Sequence, residues 1–286
     1  MVSHRAAPLL LLWAAVGLPA SPAAAQTMRS VTIAKQLRDQ TSLKARIDFA
    51  AGDLKLTPGA PNNLYRMELD YDADRFLPVG RYDASAGTVE LGLDRTGSAG
   101  IRVSKTEHLS QSAAVEFAPG VNLALDLELG AVDADLELGG LRLTSARLAT
   151  AGSRTVARFS SENPGRCDSL KFNAGAADFT AIGLGNSHCR EIDFNGGVGA
   201  VNLDLTGSWA EDGRVMVELT MGQLTLTLPR NVGFALNMDR FLSSFEPEGF
   251  TRSGNSFRSA NYQSAERKVS VHINCNVAAV TVKWAD

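Results

Sequence analysis

The chain has 286 residues, with 28 Lys and Arg against 31 Asp and Glu for a net charge of −3, and 44% of it is hydrophobic. So small a charge, with its basic residues scattered, excludes a nucleic-acid binder and an electrostatic hold on anionic lipid. The length suffices to bury a real core, as one elongated domain or two smaller ones.

Residues 1–25 read as a secretory signal peptide. His4 and Arg5 precede an apolar run from Leu9 to Leu18, and Ala23, Ala24 and Ala25 stand before Gln26. The run is too short for a transmembrane helix, and no Cys lies near the cleavage region to take a lipid. No later run is long and apolar enough to cross a bilayer. The chain is therefore expected to be exported, periplasmic or secreted, with no membrane span once the signal is removed.

An N-terminal β region is expected over residues 26–110. Residues 29–47 give a first strand and a loop, and Ile47, Phe49, Leu54 and Leu56 then alternate with polar partners around Gly52. Residues 85–93, SAGTVELGL, repeat that pattern. Between them, residues 63–83 hold strand-like Leu64, Met67, Leu69 and Tyr71, followed by Asp72, Asp74 and Arg75, which read as a solvated turn. Residues 96–112 are rich in Ser, Thr and Gly and mark an internal boundary.

Residues 111–286 are expected to form the second unit. Val121, Leu123, Leu125, Leu127 and Leu129 alternate strictly with polar or small residues. Further on, RCDSLKFNAGAADF (166–179) and HCREIDFNGGVGAV (188–201) match Cys167 to Cys189, Phe172 to Phe194, Asn173 to Asn195 and Gly175 to Gly197, always 22 residues apart. The last stretch, 271–284, overlays on the second of these, with His272 at Asp193 and Val280 at Val201. Helical periodicity is nearly absent. Strands with glycine corners leave an antiparallel sandwich or a β-solenoid, and a fixed separation between phenylalanines favours the solenoid, where stacked rungs bury them on one another. The expected fold is all-β, a single-stranded, β-helix-like solenoid with glycine-cornered rungs of about 22 residues.

In an exported protein the cysteines meet an oxidising compartment. Equivalent positions on neighbouring rungs sit about 4.8 Å apart, within reach of a disulfide, so Cys167 and Cys189 are the expected pair; the alternative is that they stack as small apolar residues. Cys275 is then a buried thiol or an intermolecular partner.

Residues 237–268 form an insertion that interleaves aromatic and basic residues, among them Phe241, Phe245, Phe250, Arg252, Phe257, Arg258 and Tyr262. These residue types suit an interaction surface for sugars or a protein. They suit equally a cap that folds back over the end of the stack, since solenoids need caps.

No metal or cofactor is expected. His188 and Cys189 are strand neighbours and point to opposite faces, His108 stands alone, and HExxH, CxxC and GxSxG spacings are missing. FNGGVGAV does not open a helix, so no phosphate-binding terminus follows it. Asp178, Asp193 and Asp204 are the acidic residues to weigh for a carbohydrate-active β-helix enzyme, a polysaccharide lyase or hydrolase. Their alternation with apolar neighbours is equally that of outward, solubilising carboxylates.

AAGDLKLTPG, the middle SRTVARFSSENPGRCDSLKFNAGAADFTAIGLGN, FNGGVGAVNLDLTGSW and the closing GFTRSGNSFRSANYQSAERKVSVHINCNVAAVTVKW together resemble the bacterial toast-rack family. That family is similar to the C-terminal domain of LiaF-like cell-wall-active antibiotic response proteins, and more loosely to adhesin-like proteins of the head GIN type. The resemblance implies a β-solenoid on the extracytoplasmic side, without catalytic residues, acting in adhesion or envelope stress. Its implied partners are a cell-wall or surface polysaccharide or an envelope protein. The membrane-spanning helices that usually precede the LiaF-like domain have no counterpart in this sequence, which argues against a direct part in transmembrane signalling.

Overall fold

The computed structural model describes residues 27–95, 111–152, 154–176, 178–239, 247–254 and 256–285. The expected signal peptide, His108, Phe241 and Phe245 lie outside these residues, as does the expected boundary over 96–112 apart from Gln111 and Ser112. The described chain is all-β. In chain order its strands are β1 (Met28–Gln36), β2 (Ser42–Pro58), β3 (Asn63–Asp72), β4 (Phe76–Asp83), β5 (Thr88–Arg95) and β6 (Ser112–Phe117), then β7 (Asn122–Glu137), β8 (Leu143–Thr150) and β9 (Arg154–Arg158). They continue with β10 (Cys167–Ala176), β11 (Asp178–Ile182), β12 (Cys189–Asp204), β13 (Gly213–Leu228), β14 (Gly233–Asp239), β15 (Phe250–Ser253), β16 (Ser256–Ser259) and β17 (Lys268–Trp284). One 3-10 turn, Leu184–Ser187, precedes β12.

Parallel pairing organises the centre. Each long strand bends midway, so that its first half joins one sheet and its second half another; β8 with β9, and β10 with β11, make the same bend as two strands. The rungs stack in the order β2, β7, β8/β9, β10/β11, β12, β13, β17. The bend needs glycine where neighbouring corners touch. Gly222 has φ +135°, and a Cβ there would stand 1.9 Å from the Gly199 carbonyl oxygen, a contact no other residue can relieve.

Alternation along each strand turns one row of side chains inward at every rung. In the first sheet Leu127, Leu148, Phe172, Phe194, Val217 and Ile273 stand in direct register, and each is at most 3% exposed. In the second sheet Ala134, Thr155, Phe179, Val201 and Leu224 do the same. Phe179 crosses the interior to meet Phe172 and Phe194 with ring centroids 5.0 and 5.1 Å away. Burying one such ring is worth roughly 2–3 kcal/mol, so the row is a main source of cohesion between the sheets. Buried Asn163, in the turn before β10, donates to the carbonyls of Leu143 and Ser187 at 2.9 Å each, and so ties adjacent turns together.

The register matches Cys167 with Cys189, Phe172 with Phe194 and Asn173 with Asn195. His272 and Asp193 share one row with Met216 between them, so β13 is a rung intercalated between the two overlaid stretches. The spacing is uneven. Neighbours are 21 residues apart at Leu125 and Ala146, 24 at Ala146 and Leu170, and 56 at Val215 and Val271.

At the N-terminal end, spatial order departs from chain order. β2 pairs on one side with β7 and on the other with β5 and β6, which follow it in sequence and together form the rung beneath it. Antiparallel strands finish that end, β4 on β5 in the first sheet and β3 then β1 on β6 in the second. The turn at residues 73–75 exists, but Asp72 is only 2% exposed, a correction to its solvated reading. It accepts the Asp74 N–H at 3.0 Å and the Arg75 guanidinium at 3.4 Å, bonds that offset the cost of burying its charge.

Candidate functional site

The outer face of the first sheet repeats at the rung spacing just as the core does. One outward row runs Glu90, Arg46, Asp126, Arg147, Lys171 and Asp193, and alternates in sign over its first four members. Arg46 reaches Asp126 at 3.5 Å and Glu128 at 2.6 Å, and Arg147 reaches the same two carboxylates at 3.0 and 3.3 Å. Those bonds, the Asp126 one foremost, hold the Arg147 pKa above its ordinary value. The next outward row is made of small or hydroxylated residues, Thr88, Ala124, Ser145 and Ser169, together with Lys44.

Between these rows lies a groove of about 540 Å³. Its charged lining is Lys44, Arg46, Arg147 and Lys171 against Glu90 and Asp126, four cations to two carboxylates. A comparable groove of about 420 Å³ on the second sheet is lined by Asp53, Glu68, Asp70, Asp133 and Asp135 against Lys55, Arg154 and Arg158. The faces thus carry opposite local charge within a molecule of net −3.

Toward the corner, Asp48 lies in register with Glu128. Partial burial, followed by the Glu128 charge, pushes its carboxyl above the ordinary Asp value. Along the corner itself Val198, Met221 and Val277 stack in register and remain 51%, 49% and 58% exposed, an apolar ridge beside the glycines.

The three carboxylates weighed for catalysis do not converge. Asp193 is on the first sheet beside Lys171. Asp178 faces Arg154 in register on the second, and Asp204 accepts the Thr206 N–H at 2.9 Å at the end of its strand. His188 takes a left-handed conformation at φ 52° after the 3-10 turn, with Nε2 3.8 Å from Glu162. Cys167 and Cys189 are joined by a disulfide with Cα atoms 4.2 Å apart. Cys275 is a buried free thiol whose pKa burial pushes up. Among the described residues no group of three or more His, Cys, Asp or Glu is placed to hold a metal.

The described part of the insertion folds onto the C-terminal end of the first sheet. β14 pairs in parallel with β17 and antiparallel with β16, which forms a hairpin with β15. Phe257 enters the core at 6% exposure. Phe250 stacks on Trp284 at 5.4 Å, and neither residue lines the groove. Arg252 lies over the Phe257 ring at 5.6 Å and Arg258 over Tyr262 at 5.4 Å. The Arg–aromatic alternation is thus partly spent within the hairpin. The first-sheet groove was not legible as a site in the sequence, because its four cations come from β2, β8 and β10, far apart along the chain.

Comparison with family models matches the N-terminal domain of toast_rack, DUF2154, to residues 22–166, half of the chain. The chain belongs to the toast-rack family. No curated protein matches this toast-rack chain. Among solved structures, a candidate cell adhesion protein from Clostridium sporogenes is similar at 16% identity, over 90% of this chain and 100% of that one, with a TM-score of 0.47. A candidate adhesin from Bacteroides fragilis shows 8% identity over 90% and 97% of the two chains, TM-score 0.34. A candidate lipid binding protein from Parabacteroides distasonis shows 9% over 91% and 97%, TM-score 0.27. None of these superpositions is close enough to bear on what the toast-rack chain binds. No helix among the described residues is long and apolar enough to cross a membrane.

Proposed function

We propose that this protein is an exported, non-catalytic β-solenoid of the cell envelope that binds a surface polysaccharide, in an adhesin-like or envelope-stress role. The observation that carries the reading is the outer face of the first sheet, where a charged side chain recurs at every rung over a groove and Thr88, Ser145 and Ser169 stand in the row beside it. A repeating surface suits a repeating ligand, because each added rung offers the same contact again. The signal-like residues 1–25 support export. Asp193 lies on the first sheet, while on the second Asp178 faces Arg154 and Asp204 accepts a turn N–H at the far end of its strand, which supports binding over glycoside cleavage, a reaction that needs two carboxylates flanking one bond.

The purified mature protein, incubated with a panel of wall and extracellular polysaccharides in the presence of calcium, is expected to retain at least one polymer and release no fragments. Fragment release abolished by Asp178→Asn or Asp204→Asn would overturn the reading in favour of a polysaccharide lyase or hydrolase.

A further inference from the structure

Resting on that reading, we infer that the ligand of the first-sheet groove is a linear acidic polysaccharide, bound along the stacking direction with its carboxylates at Lys44 and Lys171. In this groove an excess of cations meets a floor of small and hydroxylated side chains, with Ser145 and Ser169 adjacent in register. Its two arginines are already spoken for, since Arg46 and Arg147 share Asp126 and Glu128. Lys44 and Lys171 have no ion-pair partner among the described residues, and both are exposed. They carry the charge that a ligand would neutralise.

Geometry selects the polymer. Lys44 on β2 and Lys171 on β10 are three rung steps apart, about 14 Å along the stacking direction at the usual strand separation, and lie in neighbouring rows two residues apart along the strand. One rung step is close to the length of one pyranose in an extended chain, so successive sugars would lie over Ala124, Ser145 and Ser169, with acid groups falling at the two lysines. The bound network of Arg46 and Arg147 fixes the groove wall without competing for the ligand. The acidic groove on the opposite face would repel the same polymer.

The test is retention of immobilised polygalacturonate, dextran and inorganic polyphosphate by the mature protein, its Lys44→Gln/Lys171→Gln variant and a Lys55→Gln control on the opposite face, each checked for unchanged circular dichroism. The expected result is salt-sensitive retention of polygalacturonate that falls about five-fold in the double variant and is unchanged in the control. Equal retention by the double variant overturns the inference. So does equal capture of polyphosphate with the same loss, which would reduce the groove to an ion exchanger. Retention of dextran but not polygalacturonate overturns the inference and leaves the polysaccharide-binding reading standing; retention of nothing from the wider panel removes both.

Discussion

Thr155 occupies an interior row between Ala134 and Phe179, is 0% exposed, and its hydroxyl finds no hydrogen-bond partner among the described residues. A buried hydroxyl left unpaired costs free energy that an isosteric methyl does not. Thr155→Val is therefore expected to stabilise the protein by about 1 kcal/mol, read as a higher urea midpoint at unchanged slope; a lower midpoint would show that the hydroxyl is satisfied. Asp48 presents a charged, pH-dependent form of the same problem. Its folded-state pKa is raised, first by partial burial and then by Glu128, so the folded chain holds this proton more tightly than the unfolded one. The penalty is fully present at neutral pH and fades as pH falls through the carboxylate range. Asp48→Asn should gain up to about 0.5 kcal/mol at neutral pH, the discount reflecting its exposed position. The gain should vanish in acid; a gain that grows in acid would contradict the assignment.

Among elements, the hairpin of β15 and β16 closes the C-terminal end of the first sheet, and Trp284 reaches it from the second-sheet end of β17. Trp284 stacks on Phe250, meets Phe234 edge-on at 6.3 Å and donates its Nε1–H to the Glu248 carbonyl at 2.8 Å. Because each rung touches only its neighbours, damage at one end should remain local. Trp284→Ala is expected to cost about 2 kcal/mol and to speed amide exchange in β14, β16 and β17 while β7 to β10 keep their protection. Equal loss of protection in every rung would show that the closure governs the whole stack. This part of the fold was only half legible in advance. Aromatic and basic residues at 250–262 signal either a surface or a cap, and the choice depends on pairing between β14 and β16, which no local pattern encodes.

For the whole molecule, legibility followed the spacing of contacts. The 22-residue match of Cys167 and Phe172 with Cys189 and Phe194 announced parallel register because adjacent rungs there are nearly identical in length and corner. The pairing of β2 with β7 links Ile47 to Leu127 across a long excursion of unlike sequence, so nothing repeats to betray it. The reversal that places β5 and β6 beneath β2 is hidden for the same reason. It is set by which edge strand can bury Val89, Leu91 and Val115, a global choice rather than a local one.

The disulfide joins two successive rungs deep within the stack, and its consequence is mechanical. Tension applied to the C-terminus would peel β17, β13 and β12 in turn, each release adding slack. At Cys189 the unravelling would meet a covalent stop, and the load would pass straight to Cys167, leaving the segment between them, a sequence separation of 22, out of the extension. About 75 Å of contour would stay in reserve, released only when the bond is reduced. Oxidation state would thus set how far the chain can extend under load.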